Sequence, residues 1–221
     1  MIARSYDRNV FINCPFDPAY RPLFEAIAFA TSDCGYHPRC SLEVDDSSQV
    51  RIEKITTIIR ESRLAVHDIS RTQLDRGTRL PRFNMPLELG IFLGAKSFGS
   101  GEHKEKVAII LDTDRYRYQK FISDIAGQDI RAHGGRTDEV IREVRDFLST
   151  HREPGVILPG GEKIVERYRR FHGDLPALCR EVHLEYARLN FRDLSFLIFS
   201  WLKKHPVQPR RPALEEIDRG A

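Results

Sequence analysis

Residues 63–99 read RLAVHDISRTQLDRGTRLPRFNMPLELGIFLGAKSFG, and the fold turns on how they are parsed. Leu64, Ala65, Val66 and Ile69 make a short apolar strand, and Asp68 stands where it runs out. A polar, Arg-rich loop follows. Asn84 then reads as a helix cap, with Pro86 tolerated in the first turn because the amides there need no intrahelical partner. Leu87, Leu89, Ile91, Phe92, Leu93 and Ala95 make the helix apolar on nearly every side, which predicts burial. Gly90 and Gly94 share a face and would let another backbone come close. A carboxylate, Glu88, interrupts this helix. Two reasons are available for it: the helix dipole, which favours an anion near the N-terminus, or catalysis.

The same alternation extends in both directions. Residues 9–13 (NVFIN) form a first strand, and the loop CPFDPAYRP follows it. Residues 23–34 suit an amphipathic helix ended by Gly35. Residues 36–44 read as a weak second strand. Residues 50–62 place Ile52, Ile55, Ile58 and Ile59 on one helical stripe. KVAIILD, residues 106–112, is the clearest strand. A weak strand at 129–132 and a helix at 138–149 complete the alternating pattern. Regular alternation of strand and helix predicts an α/β fold: a doubly wound, mostly parallel five-stranded sheet over residues 1–152. Residues 151–162 then act as a linker. Helices at 163–170, 175–189 and 194–204 form a C-terminal extension over residues 161–205, and 206–221 is expected to be a disordered tail. LSFLIFSWL, residues 194–202, is too apolar to face water and needs covering, by the sheet domain or by a second chain.

Composition narrows the function. With 221 residues and 41% hydrophobic content, a full core is possible. Net charge is +3, from 35 basic and 32 acidic residues, which argues against nucleic acid as the main partner. Residues 163–211 do carry eleven Lys/Arg against five Asp/Glu, a bias that a solvated helical face explains. The four cysteines are scattered with no C-x-x-C, so neither zinc nor a disulfide framework is expected. No leader-like apolar run opens the sequence and none is long enough to span a bilayer, so a cytoplasmic protein with no membrane partner is expected.

In an open parallel sheet, ligands bind outside the carboxyl ends of the strands. Three polar segments converge there: Asn13, Phe16, Asp17 and Tyr20 after the first strand; Asp68 with Ser70 after the third; and Asn84 with Glu88 on the helix that follows. Several chemistries fail on their residues. A phosphoryl-accepting receiver needs acidic residues after strand one and a Lys after strand five, where this chain has Asn13, Cys14 and no suitable Lys. A dinucleotide-binding site needs glycines after strand one, and CPFDPAY has none. No nucleophile-elbow motif is present, and His67 and Asp68, being strand neighbours, point to opposite faces.

VFINCPFDPAY, the spaced Ile55, Ile58, Ser62 and Asp68, and N-x-P-x-E-L-G from Asn84 to Gly90 followed by KVAIIL together resemble the nucleoside 2-deoxyribosyltransferase and TIR-like NAD-cleaving superfamily. The resemblance covers about residues 9–112, and the helices after Glu162 have no counterpart in it. It implies a flavodoxin/TIR-like sheet. It implies that Glu88 is the nucleophile and that Asp68 contacts or protonates the leaving base; the rim residues Asn13, Phe16, Asp17, Tyr20, Ser70 and Asn84 are then expected around the substrate. NAD or a related nucleotide would be the substrate, with no separate cofactor and no metal. Self-assembly and a partner protein in a bacterial defence system belong to the same implication. The chemistry is coherent: cleaving an N-glycosidic bond builds oxocarbenium character, and a fixed carboxylate stabilises or captures it. Near a helix N-terminus, Glu88 is expected to stay ionised. Phe16 and Tyr20 could stack on a base or ribose, and Arg71 and Arg82 could hold phosphates. Nicotinamide leaves NAD without needing a proton, whereas a neutral nucleoside needs an acid, so the role of Asp68 depends on the substrate. The alternative is a catalytically silent nucleotide sensor or interaction module that signals through the C-terminal helices.

Overall fold

A computed structural model describes residues 5–72, 74, 79 and 82–207. Five strands form one all-parallel sheet in the order β2-β1-β3-β4-β5, where β1 is Asn9–Asn13, β2 His37–Arg39, β3 Leu64–Asp68, β4 Val107–Asp112 and β5 Arg131–Ala132. The order reverses between β1 and β3, the position where open sheets of this winding place ligands. β1 and β3 are buried at every residue, which is why both read as unbroken apolar runs.

Side chains alternate across the sheet and define its two faces. Val10, Ile12, Leu64, Val66, Ile109 and Leu111 point to the face covered by α2 (Arg21–Asp33) and α5 (Thr137–Thr150). Phe11, Ala65 and Ala108 point to the other, covered by α3 (Arg51–Arg60) and α4 (Asn84–Phe98). A short helix, α1 (Ser5–Arg8), precedes β1. The sequence expectation of a doubly wound fold holds, with helix bounds within a few residues of those read.

The C-terminal helices form a further layer over α2. α6 (Gly161–Glu181) is one helix, where the sequence predicts a break, and it carries Pro176 inside it. The amide that proline lacks would have bonded the His172 carbonyl; both residues are exposed, so water can serve that carbonyl. α7 (Phe191–Lys204) packs Trp201 with its ring centre 5.8 Å from those of both Phe29 and Phe171. Phe29 also stacks on Phe171 at 5.2 Å. Arg167 of α6 grips Asp33 with Nε and Nη2 at 2.9 Å and donates to the His205 carbonyl at 2.8 Å. As a result α2 is buried at every position from Leu23 to Thr31. One hydrophobic core runs from the sheet through α2 and α5 into α6 and α7. The cover on α7 is one-sided: Phe196 and Phe199 stay 62% and 67% exposed.

Two expectations about α4 fail. Only Met85, Glu88, Leu89 and Phe92 are buried, while Leu87 and Phe98 face out. Gly90 and Gly94 receive no other backbone: the nearest atom to a Cβ built on Gly94 is Phe98 Cδ2 at 4.0 Å, and nothing lies within that distance of Gly90. The edge strands are shorter than expected because HPR and RA carry no apolar run, and residues 41–43 coil into a 3-10 turn. The segment from residue 208 on, like most of the loop 73–81, lies outside the described residues.

Candidate active site

The strands β1, β3 and β4 each end on a polar residue: Asn13, Asp68 and Asp112. All three are buried, and they line the carboxyl rim of the sheet on either side of the switch point. Burial of such groups is tolerated only with partners, and each one's partners define the site.

Asp68 is the most thoroughly bound. The Tyr20 hydroxyl donates to its Oδ2, and the Ser70 amide donates to Oδ1 at 2.8 Å. His133 Nε2 stands 3.1 Å from Oδ2, close but off the line of a hydrogen bond. His133 Nδ1 accepts from the Gly135 amide at 3.0 Å, so a neutral ring carries its proton on Nε2, toward Asp68. Burial pushes the Asp68 pKa up, but His133, Ser70 and Tyr20 outweigh it and hold the carboxyl below its usual range. Asp68 is therefore an ionised anchor, poorly suited to give up a proton at neutral pH. Tyr20, expected to stack on substrate, is 1% exposed and spends its hydroxyl on Asp68.

Asn13 joins two elements. Its Nδ2 donates to the Met85 carbonyl at 2.9 Å and lies 2.9 Å from His67 Nδ1. That fixes the His67 proton on Nε2, which has no partner among the described residues. The His67 ring sits edge-on to Phe11 and Phe92, and burial pulls its pKa down to about 3, so it is neutral. Asn13 is thus a clamp that ties the end of β1 to the first turn of α4, and α4 carries Glu88.

Glu88 lies one residue deeper in the helix than expected. Phe83 is the cap residue, without a side-chain bond, and Asn84 is an exposed first residue, not the cap. Glu88 is 5% exposed, and among the described residues no hydrogen bond reaches its carboxylate. Burial pushes its pKa up to about 7, against a downward pull from the Arg51 charge. The expectation that the helix dipole keeps it fully ionised is corrected: beyond the first turn the dipole weakens, and desolvation prevails. Glu88 and Asp68 act on a common neighbour. The Cys14 thiol is pushed well up by burial and then by Asp68, Cys40, Glu88 and Asp17, which places it in the field of both carboxylates.

The loop after β1 is self-contained. Asp17 Oδ1 accepts from the Tyr20 amide at 3.1 Å, and the carboxylate pairs with Arg71 at 3.4 Å and Arg82 at 3.8 Å. Phe16 sits edge-on to Phe24 with ring centres 5.2 Å apart. Phe16 and Asp17 line a cleft of about 880 Å³ that opens at the β1–β2 side of the rim and also receives Arg51. Asp68 and Glu88 do not line it. Arg117, not anticipated from sequence, binds Asp112 Oδ1 through Nε at 2.8 Å and the Ile69 and Ser70 carbonyls at 3.0 and 2.9 Å, pinning the start of the loop after β3. His133 and Asp112 are legible in principle, since both stand where a strand ends at the carboxyl rim.

Among the described residues, no group of His, Cys, Asp or Glu is arranged to hold a metal ion, and no helix is long and apolar enough to cross a membrane. The chain matches no protein-family model and no curated protein sequence.

Proposed function

We propose that this chain cleaves the N-glycosidic bond of NAD or a related nucleotide, with the Glu88 carboxylate at the sugar carbon. The observation that carries the reading is Glu88 itself, a buried carboxylate that no hydrogen bond reaches among the described residues, on the helix whose first turn Asn13 ties to the end of β1. A carboxylate with no structural partner is costly to keep. It becomes useful when a cation forms beside it, because Coulomb attraction is strongest where water is excluded. A positively charged nicotinamide-ribose would also pull the Glu88 pKa down, favouring the ionised nucleophile on binding.

The surroundings of Asp68 favour the substrate class. With its pKa held low, Asp68 is a poor acid, which suits a base that leaves without a proton. Nicotinamide leaving NAD meets that condition, and the leaving base of a neutral nucleoside does not. A binding-only module has one observation in its favour, the exposed Phe196 and Phe199 on α7.

Incubating the chain with NAD, nucleosides and nucleotides and measuring released base by chromatography tests the proposal. Glu88→Gln keeps shape and removes charge. Turnover of NAD is expected to fall at least a hundredfold, roughly 3 kcal/mol of barrier. No release from any substrate by the unaltered chain, or full activity in a folded Glu88→Gln protein, would falsify it.

A further inference from the structure

The cleft beside the rim is built from parts that the sheet domain alone does not supply. Its walls come from the loop after β1, the start of α2, the turn after β2, the start of α3, and residues 187–194 at the entrance to α7. Its volume, about 880 Å³, is in the range of small-molecule sites. Phe16, Phe24 and Phe191 give it an aromatic side, with Phe24 packed on Phe16 at 5.2 Å and on Phe191 at 5.7 Å.

The charges are arranged asymmetrically. Three lining acids are already neutralised: Asp17 by Arg71 and Arg82, Glu25 by Arg21 at 2.7 Å, and Glu43 by Arg39 at 2.6 Å. Three lining cations have no carboxylate within ion-pair distance among the described residues. Arg51 donates to the Ser41 hydroxyl at 3.2 Å; Lys54 donates to the Val44 and Asp46 carbonyls at 3.2 and 2.5 Å; Arg192 is exposed at the start of α7. Asp45 is the remaining lining acid without an ion pair among them. α3 also begins here, and its cap residue Val50 offers no side-chain acceptor to the first amides, which favours an anion. Arg51 links the cleft to Glu88, whose pKa it pulls down.

We propose that this cleft holds the nucleoside-diphosphate half of the substrate, with Arg51, Lys54 and Arg192 on the phosphates and Phe16 against the ring. The C-terminal helices then complete the substrate site, and α7 sets a requirement for phosphate. The placement of the scissile bond at Glu88 rests on the glycosidic reading; binding of the diphosphate does not.

Calorimetric titration of ADP into the full-length Glu88→Gln protein tests this without turnover. ADP is expected to bind, at least tenfold tighter than inorganic diphosphate, and to weaken at least tenfold in Arg192→Ala and in Lys54→Ala. Both substituted side chains lie outside the core, and circular dichroism checks that each variant is folded. Lys163→Ala, removing a cation paired with Glu166 away from the cleft, is expected to change nothing. ADP binding that ignores Arg192 and Lys54 would overturn the proposal, as would equal affinity for diphosphate, or absence of ADP binding in a chain that still cleaves NAD. Cleft-dependent ADP binding by a chain that cleaves nothing would uphold the cleft and remove the glycosidase.

Discussion

Glu88→Gln should stabilise the fold, and by an amount that depends on pH. The carboxyl has a pKa of about 7 when folded, against 4.5 for the free side chain. Between those values the folded state holds a proton that the unfolded state has released, so stability falls as pH rises through this window. A tenfold change in proton affinity is worth about 1.4 kcal/mol, so the full penalty is on the order of 3 kcal/mol and is complete above pH 7. With Glu88 5% exposed, solvent screening takes little from that figure. The carboxamide of the variant does not titrate, and Cys14, the neighbour that feels Glu88, keeps its proton across this range in both proteins. The difference in urea-unfolding free energy should therefore be under about 1 kcal/mol at pH 5 and about 3 kcal/mol at pH 8, at unchanged denaturant slope. An offset that is the same at both pH values, or a variant less stable at pH 8, would refute the desolvation argument. With it would go the idea that Glu88 is held at the expense of stability for use in chemistry.

Two further outcomes follow from the packing. Tyr20→Phe removes a hydroxyl donor from an ionised, buried Asp68, and should cost about 1.5–3 kcal/mol in urea unfolding while raising the Asp68 pKa; a loss below about 0.5 kcal/mol would mean that water replaces the hydroxyl. Truncation after Pro159 strips Phe171, Leu175, Leu197 and Trp201 from the core, each worth about 1.5–3 kcal/mol of burial, so the shortened chain should be insoluble or bind a hydrophobic dye; a soluble, cooperatively unfolding product would show that the sheet domain stands alone.

Sequence reading serves best where local pattern and tertiary role agree. β1, β3 and β4 are buried on both faces, so VFI, LAV and AIIL announce themselves. β2 and β5 do not, because HPR and RA become strands only by pairing with β1 and β4. The rim positions of Asn13 and Asp68 follow from the strand ends, but their partners do not: His133 lies far along the chain from Asp68, and only the closing of the sheet brings it within 3.1 Å. Glu88 is recognisable as an odd carboxylate in an apolar helix. Its protonation is not, because dipole and desolvation oppose each other and only burial decides between them. The break read at residues 171–174 does not occur, and α6 runs on through Pro176, because an exposed proline on a long helix need not end it.

The layering around α2 has a consequence for how this chain is made. α2 emerges from the ribosome well before α6 and α7, with Phe29 and its neighbours ready to be buried. The side chains that cover its outer surface, Phe171 and Trp201, are translated only after all five strands and α5. At about 5–20 residues per second, a growing chain carries that bare surface for roughly ten to thirty seconds. The sheet can pair in the meantime, but it cannot close over α2. A nascent chain stalled before residue 191 should therefore be a client for a chaperone that grips apolar helices, and the released chain should not.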